Sequence, residues 1–257
     1  MKRWSRIWVV LAAALVLAAL LSAPGTASGY SAWAIDNEEA DCTQIPPEEV
    51  PPAAVATDKK LPVEVRVLTE AADLAMTKGY MQVAKDAYSR IGITLRVRYQ
   101  TVVPPAEWVA GRTVIGGGPD QPTIFDFMRS IYGGERPEGV DLVYFMTRDW
   151  DGGFAACIGG VRFADLAFAF GSIDYATEDL VPSPTVNEGV IAAHEIGHLL
   201  GAQHHYANCA EALPSGALRG DTNPCTTMWP AAANASSTFG LLERSFIRSY
   251  TAQYAKG

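Results

Sequence analysis

Between residues 61 and 100 the spacing of hydrophobic positions changes period twice. Val63-Glu64-Val65-Arg66-Val67-Leu68 alternates with period two and predicts a strand. From Ala71 to Ile91 the period lengthens: Leu74, Met81, Ala84 and Tyr88 fall at near-helical spacing and predict a helix despite Gly79. Ile93 to Tyr99 alternates again. Pro122 to Tyr132 predicts a shorter helix stopped by Gly133-Gly134. Two compact apolar runs, Asp141 to Thr147 and Leu166 to Ile173, suit buried strands. Val190, Ile191, Ile196, Leu199 and Leu200 then mark a buried helix of about four turns. Thr185-Val186-Asn187-Glu188 reads as its capping box, with Thr185 as N-cap, and Gly201 stands just past its end. A last helix is expected after Ser237 or Thr238, with Phe239, Leu242, Phe246 and Tyr250 along its packed face.

The first 60 residues follow another plan. Lys2, Arg3 and Arg6 precede an apolar run from Ile7 to Leu21, and small residues follow to Ala27. Basic, apolar and small-residue segments in that order are the plan of a secretory signal peptide, and the run is short of the roughly 20 residues that span a bilayer. Residues 1–27 are therefore expected to be removed, leaving an exported chain without stable membrane insertion; a retained signal anchor is the alternative reading. Residues 28–60 are acidic and proline-rich, with Asp36, Glu38, Glu39, Asp41, Glu48 and Glu49, and read as an extended arm or short propeptide. Residues 61–257 remain as the folded domain. Removing residues 1–27 takes the formal charge from −8 to −11. An acidic chain without basic clusters is not built for nucleic acid.

The four cysteines are Cys42, Cys157, Cys209 and Cys225. An even number in an exported chain suggests disulfides, and four cysteines allow three pairings. Cys209–Cys225 with Cys42–Cys157 is the favoured set. The surroundings of Cys42 do not resemble a known inhibitory cysteine switch.

All four histidines fall between His194 and His205, in the pattern H-E-x-x-H-x-x-G-x-x-H. His194 and His198, four apart on a helix, point two imidazoles at one ion. Glu195, about 100° round the helix, reaches a water without becoming a ligand. A turn at Gly201 brings His204 back as third ligand; continued helix would carry it nearly three turns away. Three neutral nitrogens leave a fourth position of one zinc ion open, the mark of a catalytic site. Glu195 is then the expected general base. A chance match to the whole pattern has odds on the order of 10⁻⁵. His205 is an alternative ligand, a hydrogen-bonding neighbour or a substrate contact, with a polar turn residue as its plain reading. A structural calcium ion has no D-x-D-x-D-G loop to support it.

The extended motif resembles the metzincin zinc endopeptidases, with the adamalysin- or reprolysin-like branch nearest. Their second signature, a methionine in a turn beneath the histidines, is matched by Met228 in Cys225-Thr226-Thr227-Met228-Trp229-Pro230. Pro230 stands where some branches carry a metal-binding tyrosine, so no tyrosine switch is expected. The resemblance implies an α+β, mixed αβ fold from about Leu61 onward: a twisted, mostly parallel sheet, the histidine-bearing helix and a small C-terminal lower lobe. It also implies that a protein or peptide substrate lies along an edge strand between Gly152 and Arg162, where Gly159-Gly160 would permit close backbone approach.

Two function classes follow. One is a secreted zinc endopeptidase with Glu195 as base. The alternative is an exported zinc-binding or adhesion protein that keeps the fold without cleaving peptides. Glu195, which a site that merely holds zinc does not need, favours the first.

Overall fold

The computed structural model describes residues 60–112, 118–173, 184–204, 226–228 and 236–256. The expected leader and nearly all of the arm, together with Cys42, Cys209, Cys225, His205 and Pro230, lie outside these residues. The chain divides into units of residues 1–35 and 36–257, and every described residue belongs to the second. Among the described residues no helix is long and apolar enough to cross a membrane.

Five strands form one sheet in the order β2-β1-β3-β5-β4. They are β1 (Leu61–Thr69), β2 (Ile93–Thr101), β3 (Leu142–Thr147), β4 (Gly153–Ala155) and β5 (Phe168–Ser172). The first four in the order run parallel, and the edge strand β4 is antiparallel to β5. This is the mixed, mostly parallel sheet expected. The helices are α1 (Leu74–Arg90), α2 (Ala106–Gly111), α3 (Gln121–Ser130), α4 (Pro184–Leu199) and α5 (Leu241–Tyr254).

Parallel strands covered on both faces carry nearly continuous apolar side chains, and β3 does so. Leu142, Tyr144 and Met146 face a core shared with α1, α4 and α5. Val143 and Phe145 face a second core shared with α2 and α3, filled by Trp108, Ile124, Phe125 and Met128. The alternation in β1 carries Val63, Val65 and Val67 into the first core, beneath the long helices that hold the site.

Several element ends differ from the sequence expectation. A 3-10 turn over Ala71–Asp73 precedes α1. Asp120 caps α3, its carboxylate accepting from the Thr123 amide at 3.0 Å. Helix α2 was not expected: its six residues are too few to show a period. Helix α4 starts at Pro184, so Thr185 lies inside the first turn rather than at the N-cap. Neither Ser237 nor Thr238 caps α5. Gly240 does, and Glu243 reaches back to accept from the Gly240 amide at 2.7 Å. The buried face of α5 accordingly carries Ile247 and Tyr250, whereas Phe246 is only partly buried.

A polar clamp fixes the turn that feeds the edge strand. The Arg112 guanidinium donates to both carboxylate oxygens of Asp149, at 2.6 and 2.8 Å, and to Glu70 at 2.5 Å. Thr147 donates to the same Asp149 at 2.8 Å. Beyond Asp149 the chain turns through Gly152, at φ 85, into β4.

Candidate active site

His194 and His198 occupy successive turns of α4, and His204 returns from beyond its end. Their Nε2 atoms form a triangle with sides of 3.0, 3.0 and 3.2 Å. The return is made by a Schellman motif. The Gly201 amide donates to the His198 carbonyl at 2.8 Å, and the Ala202 amide to Gly197 at 2.9 Å. Gly201 adopts φ 88, and a Cβ there would stand 2.4 Å from the Tyr250 ring. Two constraints, handedness and contact with α5, thus demand glycine. Gly201→Ala is expected to cost about 2–5 kcal/mol, from the left-handed backbone and the overpacking together; urea unfolding measures it.

Each buried imidazole is oriented by a carbonyl. His194 Nδ1 lies 2.7 Å from the Thr227 carbonyl, and His198 Nδ1 lies 2.8 Å from that of Ala202. Carbonyl oxygens only accept, so both Nδ1 atoms carry the proton and both Nε2 atoms present lone pairs. Lone pairs converging at this range repel unless a cation lies among them. Tetrahedral zinc binds nitrogen at about 2.0–2.1 Å, which places its ligand nitrogens about 3.3 Å apart. The donor set fits such an ion in number, chemistry and spacing.

Burial, aided by the neighbouring imidazoles, pushes His194 well below its ordinary value and His198 down to about 3. Both are neutral at physiological pH, as ligation requires. The sign for stability follows. The unfolded chain takes up protons on these histidines below about 6.5, and the metal-free fold resists doing so until far lower pH. Metal-free protein is therefore expected to lose stability as pH falls from about 6.5 towards 3, which urea midpoints across that range would record.

Glu195, one residue round the helix from His194, is 6% exposed. It packs against the edge strand: a Cβ on Gly153 would stand 2.6 Å from its Cγ and from one carboxylate oxygen. Met228 lies on the opposite side, its sulfur 2.7 Å from where a Cβ on Gly197 would sit. This places it as an apolar floor under the helix turn between the two histidines. The residue before it, Thr227, supplies the carbonyl that orients His194. That segment is tied to α5 by Thr226, which donates to Glu243 at 2.5 Å, and to the chain before α5 by the Thr227 amide, which donates to the Thr238 carbonyl at 2.8 Å.

The structure brings together His194, His198, His204, Glu195 and Met228, as the sequence pattern anticipates; His205 lies outside the described residues. Gly153, Gly197 and the carbonyls of Thr227 and Ala202 were not singled out from sequence. The expected role of Gly159-Gly160 needs correcting. These glycines form not a substrate edge but a turn against α4: the Gly159 amide donates to the His198 carbonyl at 2.7 Å, and a Cβ on Gly160 would meet Leu166 and Leu199. The edge strand itself, Gly153–Ala155, falls within the Gly152–Arg162 stretch expected to hold it. Cys157, just beyond it, is fully buried and is not a free thiol.

No curated protein matches the chain in sequence. Among solved structures it is similar to an archaemetzincin from Methanopyrus kandleri, at 14% identity and TM-score 0.49, covering 78% of this chain and 99% of that one. It is also similar to metalloproteinase-II from Bacteroides fragilis, at 13% identity and TM-score 0.46, covering 75% of this chain and 54% of that one. A zinc-dependent peptidase from Methanocorpusculum labreanum gives 13% identity and TM-score 0.46, covering 71% of this chain and 99% of that one. The family profile described as metallo-peptidase family M12B, reprolysin-like, matches residues 75–205, from the start of α1 through the last histidine of the motif. That match spans just over half of the chain, and the chain accordingly belongs to the reprolysin-like metallo-peptidases of family M12B.

Proposed function

We propose that this metallopeptidase is a secreted zinc endopeptidase in which His194, His198 and His204 hold one zinc ion and Glu195 is the general base. The observation that carries the reading is the triangle of bare Nε2 atoms with a carboxylate one residue away, packed against a sheet edge. The Lewis acidity of a bound zinc ion would lower the pKa of water to about 7 and polarise the scissile carbonyl.

The chain's own groups do the rest. The Thr227 and Ala202 carbonyls keep Nδ1 protonated, so that Nε2 remains free to ligate. The missing Cβ of Gly153 leaves the space that the Glu195 side chain occupies beside the edge strand. There it accepts a proton from the attacking water and returns it to the departing amine, which leaves neutral. Strand β4, at the sheet edge, offers backbone groups with which an extended peptide pairs. Export rests on the basic, apolar and small-residue order of residues 1–27, and disulfide pairing of the cysteines belongs to the same reading.

The test is cleavage of an unstructured protein mixture by the full chain. Glu195→Ala and a zinc chelator serve as controls, and the cut sites show whether bonds are broken internally. Zinc-loaded wild type as inert as Glu195→Ala would sink the proposal.

A further inference from the structure

Strand β4 touches β5 through a pair of glycines, Gly153 opposite Gly171. They form a narrow pair, because the flanking Gly152–Ser172 position carries the ladder hydrogen bond, the Ser172 amide donating to Gly152 at 2.8 Å. With no side chains on either, the sheet has a trough where two Cβ atoms about 5 Å apart would otherwise stand. Two polar groups fill its ends. A Cβ on Gly153 would stand 2.6 Å from a carboxylate oxygen of Glu195. A Cβ on Gly171 would stand 2.1 Å from the hydroxyl of Tyr144, which reaches over from β3. The Ile191 methyl roofs both ends, 2.7 Å from the first position and 3.1 Å from the second.

Tyr144 is fully buried, and its hydroxyl has no hydrogen-bond partner among the described residues. A buried hydroxyl left so is destabilising, and phenylalanine would fill the same space without that penalty. Burial raises the phenol well above its ordinary value, and the charges of Glu195 and Glu188 raise it further. The hydroxyl therefore keeps its proton and is a donor facing an acceptor across the trough.

We propose that Tyr144 is a positioning residue for Glu195: its hydroxyl donates towards the Glu195 carboxylate across the Gly153–Gly171 trough, through a bridging water. The inference rests on Glu195 being the base. The donated bond fixes the carboxylate from behind, leaving its outer oxygen for the attacking water.

The test is Tyr144→Phe in the full, zinc-loaded chain, with two readouts. In steady-state cleavage kcat falls about tenfold while KM and zinc content stay unchanged. In protein with tyrosine labelled at the ring carbon bearing oxygen, the resonance lost in Tyr144→Phe is the one that shifts in Glu195→Gln. An unchanged kcat with a higher melting temperature, and a resonance indifferent to Glu195→Gln, would mark Tyr144 as an ordinary core phenol and overturn the inference. A wild type without Glu195-dependent cleavage would overturn it together with the proposed base, whereas cleavage that needs Glu195 and ignores Tyr144 defeats the positioning role alone.

Discussion

Glu195→Gln is expected to lower kcat by about 10²–10⁴-fold, the range that a positioned general base supplies, and to leave KM, zinc content and fold as they are. The substitution keeps size and shape. Glu195 occupies the space that a Cβ on Gly153 would take, and an isosteric amide fills that same space and disturbs no packing. It removes only the ability to accept a proton. Stopped-time cleavage of a fluorogenic peptide, beside zinc analysis and a melting curve on the same sample, separates chemistry from structure. Activity retained within threefold would show that another group takes the proton. Loss of zinc alongside activity would show that Glu195 holds the site together instead.

Stripping the metal is expected to abolish cleavage and to lower the melting temperature by roughly 10 °C. A ligand present at about a thousand times its Kd stabilises the folded state by about 4 kcal/mol, and a domain of this size shifts by about 2–4 °C per kcal/mol. The stripped protein also keeps the converging lone pairs of His194 and His198 without a cation. His198→Ala should reproduce the loss of activity and of zinc. Calorimetry of wild type, chelated wild type and His198→Ala at one pH measures the shift. A chelated protein that melts with the untreated one would show that the histidines do not hold a metal in the folded state.

Periodicity made the scaffold readable from sequence. Val63, Val65 and Val67 alternate because one face of β1 is buried, and Leu142 to Met146 is apolar throughout because β3 is covered on both sides. The clustering of His194, His198 and His204 beside Glu195 was readable because side-chain identity and spacing carry it. The parts that hold them were not. The groups orienting His194 and His198 are backbone carbonyls, which every residue has, so nothing marks Thr227 or Ala202 until the chain is folded. Gly153 and Gly171 look like weak points in strands, and their use appears only when Glu195 and Tyr144 are seen occupying the space. Gly159-Gly160 misled for a related reason: a glycine pair signals close approach without saying of what, and here the neighbour is α4 rather than a substrate. Helix α5 was found with the wrong cap because its start is set by Glu243, which serves the amide of Gly240 and the hydroxyl of Thr226 together.

That last residue ties events at opposite ends of the domain. The carbonyl that orients His194 is held by a segment pinned to α5 through Glu243, and the turn that returns His204 is seated on Tyr250 of the same helix. Helix α5 follows the histidine motif in the chain, so it leaves the ribosome after the motif does. A partly made chain can expose the whole histidine motif and still lack the contacts that orient it. The arrangement that orients His194 and returns His204 is then complete only once α5 has docked.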